Sequence, residues 1–469
     1  MSPQSLQRGA YALVVLLGLA VLLCAGIELF TLTAPILKNY NEGWNATHAQ
    51  AAMTAPASLY PGAQSFLTNN YPPLSFLVVG WTASLTGLDA ILAGRLVSFL
   101  ALVGTGVCLS LAARAFGCRW RYAVIAALLF WAAPWVIVRF AAMNDPQLLG
   151  NFLDAIGLAV IARNPRSMRH IALSALFLTL AEFVKPIYVT LPLALLAWLF
   201  VTQRRSAWAL AGFGLLFAAI GYALTFFILH VELLGQLFSP RVFLWSKITG
   251  QPGQWLLVEA LPLLASLALL RRRGDVAALF AGLYAALAFV LALFFSGGDG
   301  VSASQMMEPA MAVALGAALW LHKNENRRWS FAGLGFVAAL QAVMLVLSFL
   351  GLWAARPSLQ ELMGSRYATR FDVALIARHK EPVLCETMAL CYWAGKTPQM
   401  DAFGFTQALK SGKRSPDDFV RLLDAKAYSM IQLQPRSQFA LPSPLWNAII
   451  RSYYLEHQDK NGFFLIPRD

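Results

Sequence analysis

Long apolar runs separated by short polar gaps dominate the chain. They lie at 11–33, 89–113, 122–140, 148–162, 170–184, 187–201, 207–229, 254–270, 276–296, 308–322 and 330–354. A helix needs roughly 20 mostly apolar residues to cross the hydrocarbon core of a bilayer. The pattern predicts an all-α polytopic membrane protein of about eleven transmembrane helices. The first run is long for a signal-peptide core and has no A-x-A-like cleavage site, so it reads as a retained anchor. A further stretch, 74–85, is apolar but short. After residue 355 the pattern becomes mixed. Strands are expected at 382–385, 427–433 and 463–466, with helices near 415–425 and 444–457. The division is a membrane domain over 1–355 and a small α/β domain over 356–469.

Composition removes the soluble alternatives. The chain of 469 residues is 58% hydrophobic and 13% charged, with a mean hydropathy of +0.60. A large soluble enzyme, a disordered chain, a coiled coil and a disulfide scaffold are all excluded. The net charge of +13 gathers in alternate gaps. These hold Arg114, Arg119 and Arg121; Arg163, Arg166 and Arg169; Arg204 and Arg205; Arg271 to Arg273; and Lys323, Arg327 and Arg328. Positive-inside bias puts these gaps in the cytoplasm with Arg8 and the N-terminus, so nucleic acid is not needed to explain the charge. Parity then makes the chain turn back at Lys185-Pro186 and lays 74–85 at the outer interface. The first outer loop runs over about 34–88, and the C-terminal domain is extracytoplasmic.

The outer segments carry few ionisable residues, and charge at the membrane boundary invites a functional reading. They hold Glu42 and His48, Asn144 and Asp145, Lys185, Arg241 and Lys247, and Glu308. A carboxylate can take a proton from a hydroxyl acceptor while a cation neutralises a departing phosphate. That pairing suits transfer from a lipid phosphate. A secondary transporter or lipid flippase is the rival reading, but no internal repeat is seen and the charges lie at one face.

The motifs sharpen this. Tyr40-Asn41-Glu42-Gly43-Trp44-Asn45, Asn69-Asn70-Tyr71-Pro72-Pro73-Leu74, Gly94-Arg95-Leu96 and Met143-Asn144-Asp145-Pro146-Gln147 follow in that order. Together they resemble bacterial GT-C membrane glycosyltransferases, in the branch of the protein O-mannosyltransferases and the lipid A aminoarabinose transferase. The resemblance implies a polyprenyl-phosphate-linked sugar as donor and transfer, with inversion, to a hydroxyl of a lipid, polysaccharide or protein on the periplasmic face. It also implies a bacterial inner membrane and a periplasmic C-terminal domain. The family's first outer loop often carries an Asp-Glu pair. Here Asn41 takes the first place, so the base falls to Glu42, with Asp145 matching the second-loop acid. Lys185 matches the family's lysine and is expected on the donor phosphate, with Arg241 and Lys247 as further phosphate contacts. Asn41, His48, Tyr71, Asn144 and Glu308 are expected to bind substrate.

No dedicated metal ligands are assigned. The amide in place of an acid weakens a tight divalent site, and a divalent cation stays open as a cofactor. Cys385 and Cys391 fit either a disulfide or two buried thiols.

Overall fold

The computed structural model describes the whole chain except residues 1–2, 63–64, 134–139, 231–232, 234–241, 273, 353–358 and 435–441. Every apolar run meets a helix. In chain order, α1 spans Pro3–Leu32, α2 Asn41–Thr54, α3 Leu74–Thr86, α4 Ala90–Ala115 and α5 Trp120–Ala132. Next come α6 Gln147–Arg163, α7 Met168–Val184, α8 Thr190–Thr202 and α9 Arg204–Leu229. The membrane region closes with α10 Gly250–Ala268, α11 Val276–Ser296, α12 Met307–Lys323 and α13 Arg328–Phe349.

Among the described residues, six stretches are long and apolar enough to cross a membrane: Gln4–Leu32, Ala90–Ala115, Arg204–Leu229, Trp245–Arg271, Val276–Ser296 and Arg328–Phe349. The others are shorter, from the 13 residues of α5 to the 17 of α6, α7 and α12. Proline is one reason. Residue 133 precedes Pro134 and leaves the helical region, ending α5 well short of the expected residue 140.

The bundle is built around α12. Its alanine-rich sequence is buried over almost its full length and packs against α5, α10 and α11. Small side chains let helix backbones approach closely where lipid supplies no hydrophobic drive. The outer helices leave large apolar side chains bare, including Leu22 and Leu23 on α1 and Leu215 and Phe227 on α9, as a lipid-facing surface requires.

Charges sort to opposite ends. At one end Arg119 and Arg121 pair with Glu325, and Lys323 pairs with Asp275. Helix α4 carries Arg114 at that end and Arg95 near the other, about 28 Å apart along the axis at 1.5 Å per residue. That separation is close to the thickness of a hydrocarbon core. The short, interfacial-looking stretch 74–85 is the helix α3, which packs on α2.

The C-terminal region contains helices α14 Leu359–Arg378, α15 Met388–Trp393, α16 Ala402–Lys410, α17 Asp417–Asp424 and α18 Ser443–Ser452. It also forms a sheet of order β1-β2-β4-β3, with β1 Val383–Cys385 parallel to β2 Met430–Leu433 and the remaining pairs antiparallel. Strands β3 Tyr453–Asp459 and β4 Gly462–Pro467 make a hairpin. The helix expected over 444–457 therefore stops at Ser452. The reason is the turn after it: Asp459 accepts from the N–H groups of Asn461 (2.8 Å) and Gly462 (3.2 Å), which closes the two-residue loop Lys460-Asn461 of a hairpin. Cys385 and Cys391 form a disulfide between the end of β1 and α15.

Candidate active site

Glu42 lies in the first turn of α2 and is fully buried. Arg95 of α4 meets it side-on, Nε to Oε1 and Nη2 to Oε2 both at 2.7 Å. Such a fork places two donors against two acceptors and tolerates little misalignment. Arg95 spends its other donors on the carbonyls of Ala34 (2.8 Å) and Ile36 (2.5 Å), where the chain leaves α1. Glu42 Oε1 also accepts from the Asn144 N–H at 3.1 Å. The pair thus fastens three segments: the exit of α1, the first outer loop and the second outer loop. Both Glu42 oxygens are engaged, so the group expected as a base is set into a frame.

Asn144 completes the lock. Its Nδ2 donates to the Glu42 carbonyl at 3.1 Å, and its own carbonyl accepts from Asn45 Nδ2 at 2.8 Å. A Cβ at Gly94 would lie 1.8 Å from Asn144 Oδ1, so the Gly-Arg step is required for this approach. Lys38 is buried beside the frame, with Nζ 2.8 Å from Glu28 Oε2 and 2.7 Å from the Ala142 carbonyl. Burial pulls its ammonium below the usual lysine range.

A small cleft adjoins this frame, lined by Asn45, Ser75, Phe76, Ser98, Asn144 and Asp145 among others. Asp145 is the acid in its wall. Its Oδ1 accepts from the Gln147 N–H at 2.8 Å, which caps the start of α6 with Pro146. Its Oδ2 has no hydrogen-bond partner among the described residues. Lys185 follows the last residue of α7 and is buried, with Nζ donating to Gln147 Oε1 at 2.8 Å and standing 5.4 Å from the Tyr71 ring. The proline after it stops the helix there. Tyr188 donates to the Gln147 carbonyl and lies 3.2 Å from Asn151 Oδ1. Asp145, Gln147, Lys185 and Tyr71 therefore form one connected group drawn from three outer segments.

Those of the remaining expected residues that the structure describes lie outside the cleft wall. His48 is buried against Trp44 and Phe76, its Nε2 3.2 Å from the Thr68 carbonyl, and burial pulls its pKa down to about 4. Asn41 is half-buried and absent from the cleft wall. Glu308 accepts from the N–H of Leu191 at 2.9 Å and so satisfies a donor in the first turn of α8. Lys247 pairs with Asp299 at 2.6 Å, and Asp299 also takes Lys410 at 2.9 Å and Gln407 at 2.9 Å from α16. Burial works against ionisation of Asp299, yet these donors hold its carboxyl below the usual range. Arg241 lies outside the described residues.

Sequence reasoning did not assign Glu28, Lys38, Asn45 or Arg95 to the site. Glu28 had a signal: it is an acid inside an apolar run.

The C-terminal domain roofs the first loop. Tyr392 Oη accepts from the Ala90 N–H at 3.0 Å, and Trp393 lies 6.0 Å from the Arg95 guanidinium. Thr68 donates to Asp401 at 2.6 Å, and Arg414 donates to the Ser65 carbonyl at 2.6 Å. A Cβ at Gly43 would stand 2.1 Å from the Ala389 nitrogen, so α2 and α15 touch backbone to backbone. Among the described residues, the side chains grouped closely enough to share a metal are Asp372, His457 and Asp459, within the C-terminal domain.

No protein-family model matches the chain, and no curated protein matches it by sequence. Solved structures do. ArnT from Cupriavidus metallidurans bound to undecaprenyl phosphate aligns with a TM-score of 0.65 at 18% identity, over 95% of this chain and 97% of that one. Its apo state gives a TM-score of 0.64 at the same coverage. The Archaeoglobus fulgidus oligosaccharyltransferase tethered with an acceptor peptide aligns with a TM-score of 0.51 at 11% identity, over 96% of this chain and 74% of that one. The chain therefore shares its fold with ArnT over 95% of its length and, more loosely, with the oligosaccharyltransferase.

Proposed function

We propose that this multi-pass membrane protein is a glycosyltransferase that moves a sugar from a polyprenyl-phosphate donor to an acceptor hydroxyl. The observation that carries the reading is an acid in the cleft wall with an open oxygen, Asp145, joined through Gln147 to a buried cation behind that wall, Lys185. A fold shared over 95% of the chain with a protein bound to undecaprenyl phosphate supports a lipid-linked donor.

The chemistry is a single displacement. The acceptor oxygen bonds to the anomeric carbon as the bond from that carbon to the phosphate oxygen breaks. The acceptor proton passes to Asp145, and the electron pair leaves with the polyprenyl phosphate, whose charge Lys185 stabilises. One displacement inverts the anomeric centre. Glu42 and Arg95 hold the first and second loops in register and act as positioning residues. Lys247 is committed to Asp299 and is the weaker phosphate contact. The acceptor is a lipid, polysaccharide or protein hydroxyl.

The roof over the first loop comes from a disulfide-bonded domain, which suits an oxidising compartment. We place that domain, residues 356–469, in the bacterial periplasm and the basic end of the bundle in the cytoplasm. The eleven helices that meet the apolar runs then cross the inner membrane.

The test is mass spectrometry of envelope glycolipids from cells with the intact chain, with Asp145→Asn, and with no chain. The expected result is a polyprenyl-phosphate sugar that accumulates in the last two and not in the first. Unchanged glycolipids in both would overturn the reading and favour a transporter.

A further inference from the structure

Helix α14 and the β3–β4 hairpin meet around a small polar cluster that the proposed transfer does not use. Asp372 belongs to α14, and His457 and Asp459 belong to β3. Residues two apart in a strand point to the same face, so both hairpin groups reach the helix together. The β3–β4 register slips between Leu455 and His457, and such a bulge re-aims the side chains that follow it. One ligand atom from each of the three residues lies within 4.8 Å of the other two.

Two features say that this group awaits a ligand. Asp372 is fully buried, and among the described residues its Oδ1 has no hydrogen-bond partner. His457 Nε2 is also buried and unpartnered. Buried polar atoms without partners are rare in folded proteins and call for an explanation. The surroundings hold the donors still. Asn461 Nδ2 donates to Asp372 Oδ2 at 2.6 Å and leaves Oδ1 to the cluster. Both turn bonds of Asp459 fall on Oδ1, which leaves its second oxygen open. The His457 ring packs between Phe371 and Phe464, at centroid distances of 4.9 and 5.6 Å. The charge of Lys460 in the turn acts on Asp372, but among the described residues no ion pair joins it to either carboxylate.

We propose that Asp372, His457 and Asp459 bind one divalent cation of the zinc class, which clips the β3–β4 hairpin to α14. An imidazole with two carboxylates is a set that zinc accepts, whereas magnesium and calcium prefer oxygen alone. Tetrahedral zinc ligands stand about 3.3 Å apart, so the side chains draw in by roughly an ångström or less. Three protein ligands leave a fourth position for water. The clip fastens the hairpin to the helix that leads into the C-terminal domain, and it is independent of the chemistry in the membrane cleft.

The test uses the full chain purified in detergent, stripped with a chelator and titrated with Zn²⁺ alone against a competing indicator. One equivalent per chain is expected. His457→Gln and Asp459→Asn should each weaken binding at least tenfold, and the asparagine keeps an oxygen for the turn. His379→Gln, beside the hairpin at Glu456, should leave binding intact. Hydrogen exchange of the unaltered chain gives a second readout, in which Zn²⁺ should slow residues 453–467. No saturable site in the unaltered chain, binding that survives His457→Gln, or loss with His379→Gln would each overturn the proposal. Exchange in the hairpin that ignores Zn²⁺ would do the same.

Discussion

Glu42→Gln separates a frame from a base. The substitution keeps the side chain's size and removes its charge. In the folded protein Arg95 is fully buried and directs two of its donors at Glu42, at 2.7 Å each. An amide offers one acceptor oxygen and turns its NH₂ toward the guanidinium, so one of those bonds becomes a repulsion. Removing one partner of a buried ion pair costs about 3–5 kcal/mol, because the other charge is left uncompensated. The Ala34 and Ile36 carbonyls stay on Arg95 and place the expected cost at the lower end, about 3 kcal/mol. Replacing both partners, as Glu42→Gln with Arg95→Met, should cost less than the two single changes added together. The assay is thermal unfolding in detergent followed with a thiol-reactive dye. Of the three free cysteines, Cys24 and Cys118 are buried and react only as the bundle opens, and the half-buried Cys108 is first replaced by alanine in every chain compared. A Glu42→Gln chain that unfolds at the wild-type temperature yet has lost transfer would refute the frame and return the base to Glu42.

Further outcomes follow from the same geometry. Gly43→Val should push α15 away from α2, since even a Cβ would stand 2.1 Å from the Ala389 nitrogen. Overpacking of this kind costs about 1–3 kcal/mol, and limited proteolysis should cut the C-terminal domain faster. Stability should fall as pH drops from about 6.5 toward 4, because the unfolded chain protonates His48 there while burial keeps the folded one neutral. The change is at most about 3 kcal/mol, is absent above that window, and should flatten in His48→Gln, as unfolding temperatures across the pH range would show. Lys185→Ala should weaken binding of undecaprenyl phosphate to the purified chain severalfold without moving its unfolding temperature much, and unchanged binding would remove the lysine from the phosphate site.

Much of the site was readable as a set of neighbours and little of it as a set of roles. The four motifs pointed to segments that do assemble: Glu42, Arg95 and Asn144 touch, and Asp145 and Lys185 share Gln147. Which of these groups are paired was not legible, because a free acid and a paired one look alike in a sequence. Arg95 stands in one of the motifs with nothing beside it to name its partner, which in the folded chain is Glu42. His48 carried no mark of the aromatic packing that keeps it neutral, and Glu308 none of the helix end it caps. In the C-terminal region the helix expected over 444–457 overruns β3, because pairing with β4 beyond the turn at Asp459 holds residues 453–459 extended.

Hydrophobic periodicity and the placing of basic residues are local properties, so they alone determined the run of helices, the alternation of charged gaps and the change of character after residue 355. Burial, pairing and the metal-sized cluster depend on atoms that lie far apart along the chain. Glu42 and Arg95 are 53 residues apart, and Asp372 and Asn461 are 89 apart. Only the packed bundle and its roof bring such groups within 3 Å, and at that distance desolvation and hydrogen bonding, invisible in the order of residues, decide which charge supports the fold and which is open to a substrate.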